Sequence, residues 1–453
     1  MSSFSGLTNA LAALNAQRYG LDVTGQNISN ASTPGYTRQR AEFGEVAPAA
    51  GVPSLYATQR GASGVTVTGT TRMNDPVLDS RVRAEHGKNG QTQTAATALS
   101  GVETLIDEPS DNGLAAQLSD FWKSWSAMAN NPGGDANGLS ARNVVLQKGA
   151  TVAASLNATS GALDRLTQSA SDQLNQTVVD VNDAANSLAK LNGAIAVASA
   201  TGAPTNALAD QRDALLLQLA DNAGATASLA GDGQVTVTLG GQTLVNGTTA
   251  TAVAVTSAHQ LTVGGAAAGP AGGAAQGLVD AISTVLPGYS AQLDSVAAAL
   301  SSTVNGAMAA GYDLAGNAGT PFFSGTTAGT ISVALSDPTK LAASGVAGGN
   351  LDASNASAVA NFGTLAGGAD GVYQSFVSGL ASSVQSASQQ ATVQSSVTAS
   401  VDAQAQSVSG VSLDEETTSL LTFQRSYQAA SRVLTTVDDT LDTLINRTGR
   451  VGL

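Results

Sequence analysis

The chain of 453 residues contains no cysteine. That excludes disulfides, thiolate metal sites and a cysteine nucleophile. It also suits a chain that must unfold, travel and refold without a redox helper. Basic residues are few: 19 Lys and Arg stand against 33 Asp and Glu, for a net charge of −14. Nucleic-acid binders carry a basic stripe. None is present, because Arg38 and Arg40 are followed directly by Glu42 and Glu45. The acidity is read as a device for solubility and monodispersity. No apolar run reaches the roughly 18 residues that span a bilayer, so neither nucleic acid nor membrane is an expected partner. The start, Met1-Ser2-Ser3-Phe4-Ser5, lacks the basic cluster and apolar core of a conventional secretory signal. A chain that leaves the cell with this start takes another route.

Signatures of catalysis are missing too. There is no Gly-x-Ser-x-Gly elbow, no Gly-x-x-x-x-Gly-Lys loop and no His-Glu-x-x-His pair. The two histidines, His86 and His259, fall in different predicted regions and read as surface or turn residues. Asp414-Glu415-Glu416 resembles a paired-carboxylate site, but acids at a helix start complement its dipole, as Arg447 and Arg450 do at its end. Trp122 and Trp125 stand at helical spacing with Leu118 and Met128, which reads as core packing. Asn-x-Ser/Thr triplets such as Asn157-Ala158-Thr159 arise by chance in so Ser/Thr-rich a chain. No enzyme, cofactor or metal is expected.

Aromatic residues make up 4% and charged residues 11%, yet 42% are hydrophobic, much of that alanine. Small side chains allow helices to approach closely while burying little per residue. The 50 glycines concentrate in the middle of the chain. The two ends carry a different pattern. Phe4, Leu7, Leu11, Leu14, Leu21 and Ile28 alternate spacings of three and four, with Arg18 and Gly25 in the skipped seats. Leu413, Leu420, Phe423, Tyr427, Ala430, Leu434, Val437, Leu441 and Leu444 follow the same rule. A 3.5-residue repeat makes helices wrap around each other. Stripes confined to the termini predict that the ends pair and that the intervening chain forms a body on a stalk. The bland alternative is an antiparallel coiled coil that simply closes a monomer.

Between the ends, the first helix is predicted over about 5–29, closed by Thr33-Pro34-Gly35-Tyr36 as a type II turn. An extended stretch follows to about Thr71, with Val65-Thr66-Val67-Thr68 alternating as a strand. Helices are predicted from about Pro76 to Asp221. From Asn222 to Gly277 the only ionisable side chains are Asp232 and His259, and strands at 234–239 and 242–245 turn at Gly240-Gly241. Helix resumes from Leu278 to Val304. A turn-rich stretch covers about Gly311 to Gly371, with a short strand at 330–335. A long Ser/Gln/Ala helix then runs to about Ser407, and Ser412 with Glu415 forms a capping box for the last helix. The predicted architecture is mainly α with an inserted β domain: a terminal-helix coiled-coil stalk, a nested discontinuous helical bundle and a small outer β domain. Its boundaries are 1–36 with 409–453 for the stalk, 37–221 with 278–408 for the bundle (connector at 37–75, turn-rich stretch at 311–371), and 222–277 for the insert.

The run from Asn27 through Asn30, Thr33, Pro34, Gly35 and Tyr36 to Arg38 resembles the signature shared by axial proteins of the bacterial flagellum, the rod, hook and hook-associated family. The tail at 409–416, followed by Phe423-Gln424-Arg425-Ser426-Tyr427-Gln428-Ala429-Ala430, is similar to the C-terminus of the hook-associated branch. So is Asp210-Gln211-Arg212-Asp213-Ala214-Leu215. The resemblance implies a non-enzymatic junction subunit at the hook tip, exported through the flagellar type III apparatus without a cleaved signal peptide. Its implied partners are copies of itself in a helical ring, the hook protein below, a second junction protein above and an export chaperone on the C-terminal helix. The implied subunit interface is Leu7, Leu11, Leu14, Leu21, Ile28, Leu413, Leu420, Phe423, Tyr427, Leu434, Val437, Leu441 and Leu444. The terminal helices are expected to lack structure until assembly, because ordering costs about 1–2 kcal/mol per residue. The short stretch at 311–371 stands where larger members carry a bigger outer domain. A hook or distal rod protein, or a secreted helical-stalk adhesin, are the alternative readings.

Overall fold

The computed structural model describes residues 3–45, 64–231, 233–348 and 351–443. Helix α1 spans Ser3–Ser29. It ends where the Thr33 carbonyl accepts from the Tyr36 amide at 3.2 Å, with Gly35 at φ 77°, the type II turn that Pro-Gly demands. Strand β1 (Gln39–Glu45) then pairs antiparallel with β2 (Val65–Arg72), with a bulge at Glu42/Phe43.

Helix α2 (Pro76–Ile106) is capped by the Asp75 carboxylate and started by Pro76. Helix α3 (Leu114–Ala129) buries Leu114, Leu118, Phe121, Trp122, Trp125 and Met128 on one face. Helix α4 (Ala136–Thr201) has 66 residues, about 100 Å at 1.5 Å per residue. Gly202 at φ 70° ends it. Helix α5 spans Asn206–Ala223.

The insert holds two small antiparallel sheets. One is β3 (Thr226–Leu229), β4 (Val235–Leu239), β5 (Gln242–Asn246) and β6 (Thr249–Ala250) in sequential order. The other is β7 (Val253–Val255), β8 (Leu261–Val263) and β9 (Ala266–Ala267). Val235, Val237 and Leu239 alternate inward along β4. They join the same apolar core as the helices; an insert this small has too little interior of its own to stand alone. Two asparagines on α4 dock it. Asn182 donates to the Val253 carbonyl, and Asn192 donates to those of Val235 and Gly247, each bond 2.8–2.9 Å.

Helix α6 (Gly273–Asp280) passes through a π-helical turn (Ala281–Val285) into α7 (Leu286–Ala310). Pro287 has no amide for an i→i−4 bond, and the Leu286 amide reaches back to the Ala281 carbonyl instead. The stretch 311–371, which reads as turns in the sequence, is built on aromatic packing. It carries the short strands β10 (Phe323–Ser324) and β11 (Ser332–Val333) and helix α8 (Ser354–Ala360). Phe322 and Phe323 are buried against Phe121, at centroid distances of 5.6 and 5.9 Å. Gly149 on α4 lets Phe322 in, since a Cβ there would lie 2.5 Å from the ring.

Helix α9 (Ala369–Ser409) returns along α2, and α10 (Leu413–Asp442) returns along α1. The halves of the chain before and after the insert therefore share one core, and the fold is mainly α with small antiparallel sheets. His86 departs from its surface reading. It is mostly buried on α2, with Asp221 of α5 and Asp402 of α9 on its two ring nitrogens. His259 occupies a turn at φ 57°.

Candidate functional site

The pair formed by α1 and α10 is antiparallel. Gly6 faces Val437, Gly20 faces Phe423, and Asn27 faces Glu416. The buried residues of α1 are Ala10, Ala16, Gly20, Val23, Thr24 and Asn27. On α10 Glu416 is buried, and Leu420, Phe423, Ala430, Leu434, Val437 and Leu441 are half-buried on the same face. Large side chains on one helix thus fill a row of small ones on the other. A Cβ at Gly20 would lie 2.7 Å from the Phe423 ring, so the contact selects glycine there. On the far side Phe43 meets the Phe423 ring edge-on at 6.2 Å.

This corrects the N-terminal stripe. Leu7, Leu14, Leu21 and Ile28 lie beside the seam, one position along from its small residues, and stay half-exposed; Leu11 is 53% exposed. Alanine and glycine carry little hydrophobic contrast, so the leucines mask the seam in sequence. On α10, Leu420, Phe423, Leu434, Val437 and Leu441 do face α1 and are partly covered, while Leu413 and Tyr427 are 52% and 39% exposed. Leu421 and Val433 are also exposed, at 51% and 52%, and the periodicity did not single them out. Leu444 lies outside the described residues, as do Arg447 and Arg450. Helices α1 and α10 are formed and paired in the single chain, in contrast to the expectation of unstructured termini; what remains uncovered is part of their outer apolar faces.

The seam closes on a polar joint. Asn27 is buried and uses all its capacity: its amide donates to the Gln39 carbonyl (2.8 Å) and to Glu416 Oε2 (3.0 Å), and its oxygen accepts from the Gln39 amide (3.0 Å) and the Tyr36 hydroxyl (2.8 Å). Arg38 donates to Glu416 Oε1 at 2.7 Å and to Glu415 Oε2 at 2.6 Å. The Arg38 amide donates to the Ser409 carbonyl at 2.8 Å. Burial, with Asp210 and Glu416 nearby, pushes the Tyr36 phenol up to about 12, so it stays a neutral donor. Asn30 braces the turn, accepting from the Thr33 hydroxyl and donating to the Gln26 carbonyl. Asn27, Asn30, Thr33, Pro34, Gly35 and Tyr36 thereby shape one device that points Arg38 at the start of α10.

The acids read as dipole complements have this second role. Glu416 is buried, and a buried carboxylate is tolerated only when charge-assisted bonds offset its lost hydration. The Ser412 hydroxyl accepts from the Glu415 amide at 3.5 Å, a long form of the expected cap. The joint continues into the bundle. Arg72 of β2 pairs with Asp210 (2.8 Å) and Asp213 (2.7 Å) of α5. Arg212 holds Asp213 and the Gly233 carbonyl, and Asn206 donates to Gln39 and to the Thr70 carbonyl. A groove of about 430 Å³ lies over this joint, between Arg38, Phe43, Glu416 and Phe423. Among the described residues no group of three His, Cys, Asp or Glu side chains could hold a metal. The geometry is that of a mechanical connection.

Comparison with known proteins agrees with this layout. Residues 99–323 match the model of the flagellar hook-associated protein FlgK helical domain. Residues 7–37 match that of the flagella basal body rod protein, and residues 403–447 that of the flagellar basal body rod FlgEFG protein C-terminal. The chain is 29% identical over 507 aligned positions to flagellar hook-associated protein 1 of Bacillus subtilis, covering 99% of both chains. It is 26% identical to the Escherichia coli protein of that name, over 54% of this chain and 43% of the relative. The solved structure of the flagellar hook junction protein FlgK from Burkholderia pseudomallei shares the fold at TM-score 0.64 and 18% identity, over 73% of this chain and all of that one. The model matched by the helical body separates the chain from hook and rod proteins, whose models match only its ends. With a paired-terminus stalk, a nested bundle and a relative aligned from end to end, the chain belongs to the flagellar hook-associated protein 1 family.

Proposed function

We propose that the chain is a non-catalytic structural subunit that polymerises at the tip of the flagellar hook and joins hook to filament. Its place among the structural proteins of the extracellular flagellar axis follows from its family. The single observation that carries the finer reading is the pair of uncovered apolar rows beside the α1–α10 seam. Leu11 on one helix, flanked by the half-exposed Leu7, Leu14 and Leu21, and Leu413, Leu421, Tyr427 and Val433 on the other, lie open while the seam between them is closed. Neighbouring copies in a helical ring would cover these rows, each side chain adding up to about 1.5–3 kcal/mol on full burial. On this reading 1–36 with 409–453 forms the axial core, the bundle the next shell, and 222–277 the outer part. Hook protein lies below and a second junction protein above. An export chaperone would grip the apolar face of α10 before assembly, and the type III apparatus would carry the chain out without a cleaved signal peptide.

The test is Leu11→Asp combined with Leu421→Asp in cells, with labelled antibody on intact flagella. Wild type should give a band between hook and filament. The double variant should fold, as judged by unchanged tryptophan emission and unchanged far-UV circular dichroism, yet give no band and no filament. Normal filaments with the variant in place would overturn the proposed interface.

A further inference from the structure

Between Gly371 and Leu413 a single charged residue occurs, Asp402. It is aimed at one of the two histidines of the chain. Both Asp402 carboxylate oxygens stand 3.1 Å from His86 Nε2, and Asp221 Oδ1 stands 2.8 Å from Nδ1. One imidazole on α2 is thus held between carboxylates on α5 and α9. A neutral imidazole carries one N–H and can donate to only one of them; the other then faces a lone pair. The imidazolium donates to both.

The position of this cluster gives it a consequence. Thr398 and Gln394, one and two turns earlier, hold α9 to Glu85 of α2. Val401 is the last buried residue of α9, and none from Asp402 to Ser409 is buried. Asp402 is therefore the final side-chain anchor of α9 to the bundle before the Ser409 carbonyl, which accepts from Arg38 at the joint. We propose that His86 is a proton-operated latch that fixes the end of α9 to α2 and α5, and so sets how firmly the bundle grips the axial pair.

The other charged groups do not supply this switch. On α2, Glu85 is tied to Lys88 and Gln394, while Arg83 and Arg81 stand three and five residues before His86. On α5, Arg212 and Asp213 are paired with each other. Asp280, where α6 packs on α2, is held by Gln91 and Gln276. Strand β3 brings no charge. Burial alone would push the imidazole down, but the hydrogen bonds and charges of Asp221 and Asp402 override it and hold it above its usual value. A raised value in the folded state means the latch contributes fully below the ordinary histidine value of about 6.5 and is lost as pH rises through the raised one.

The experiment is hydrogen–deuterium exchange on the full chain at pH 6.0 and 8.5, corrected for intrinsic chemistry and read over residues 398–409. Wild type should exchange several-fold faster there at pH 8.5, with α4 unchanged. Asp402→Asn and His86→Gln should each remove the pH dependence, while His259→Gln retains it. Tryptophan emission checks that each variant is folded. Equal corrected rates at the two pH values in wild type, or an Asp402→Asn chain that keeps the wild-type dependence, would overturn the latch.

Discussion

At Gly20 two opposing effects can be weighed. Alanine in a helix is worth about 1 kcal/mol over glycine, yet here its Cβ would enter the Phe423 ring, which Phe43 flanks in turn. Overpacking of that kind costs about 1–3 kcal/mol. Gly20→Ala is expected to weaken the seam by about 1 kcal/mol, read as faster amide exchange in α10; slower exchange would show that the ring moves aside at no cost. The joint offers an asymmetric test. Arg38→Met leaves the buried Glu416 carboxylate with Asn27 alone, a loss of about 3–5 kcal/mol for an orphaned buried charge. Glu416→Gln leaves Arg38 its bond to Glu415, and that side chain is 26% exposed so that water can reach it; a loss nearer 1 kcal/mol is expected. Equal losses in chemical denaturation would contradict this account. The turn at Thr33–Tyr36 was legible from sequence because proline and glycine impose their geometry locally. The Arg38–Glu416 pair was not, because its members are 378 positions apart.

Legibility among the elements follows the same logic. The α10 stripe could be read because its large residues repeat at 3.5, whereas the α1 seam runs through Ala10, Ala16 and Gly20 into Val23, Thr24 and Asn27 and leaves little hydrophobic signal. Trp122 and Trp125 could be assigned to the core from their spacing with Leu118 and Met128, and both are buried. Phe322 and Phe323 could not, since two adjacent rings have no period, and their burial depends on Gly149 of a distant helix. His86 looked like a surface residue because its carboxylate partners lie on helices far along the chain. Helix α4 shows how a polar side chain can place a whole sheet. Asn192 is fully buried and satisfies the Val235 amide as well as two carbonyls. Asn192→Ala strands these groups at about 1–3 kcal/mol for each one left dry. It should lower the urea midpoint with an unchanged slope; an unchanged midpoint would mean that the sheet is held by its valines alone.

The molecule as a whole joins a large, continuous core to a pair of helices that pack on each other largely through small side chains of α1. Both tryptophans sit in the aromatic cluster of the bundle, and none lies on α1 or α10. Tryptophan emission therefore reports the bundle, while far-UV circular dichroism also counts the terminal helices. Heating is expected to give an early loss of helix signal without a change in emission, then a second transition seen by both. Leu434→Asp, which puts a carboxylate on the seam, should remove the early step and leave the second where it was. A single coincident transition in wild type would mean that the pair and the bundle melt as one unit.

Because the chain enters the bundle at Arg38 and leaves it at Ser409, the axial pair hangs from two covalent tethers side by side. A pull on the body, with α1 and α10 gripped by their surroundings, divides between those tethers, and the Arg38–Ser409 and Arg38–Glu416 bonds keep them from splaying. Tension then runs along both strands in the same direction. The seam between the helices is spared shear, so a contact of small side chains suffices there.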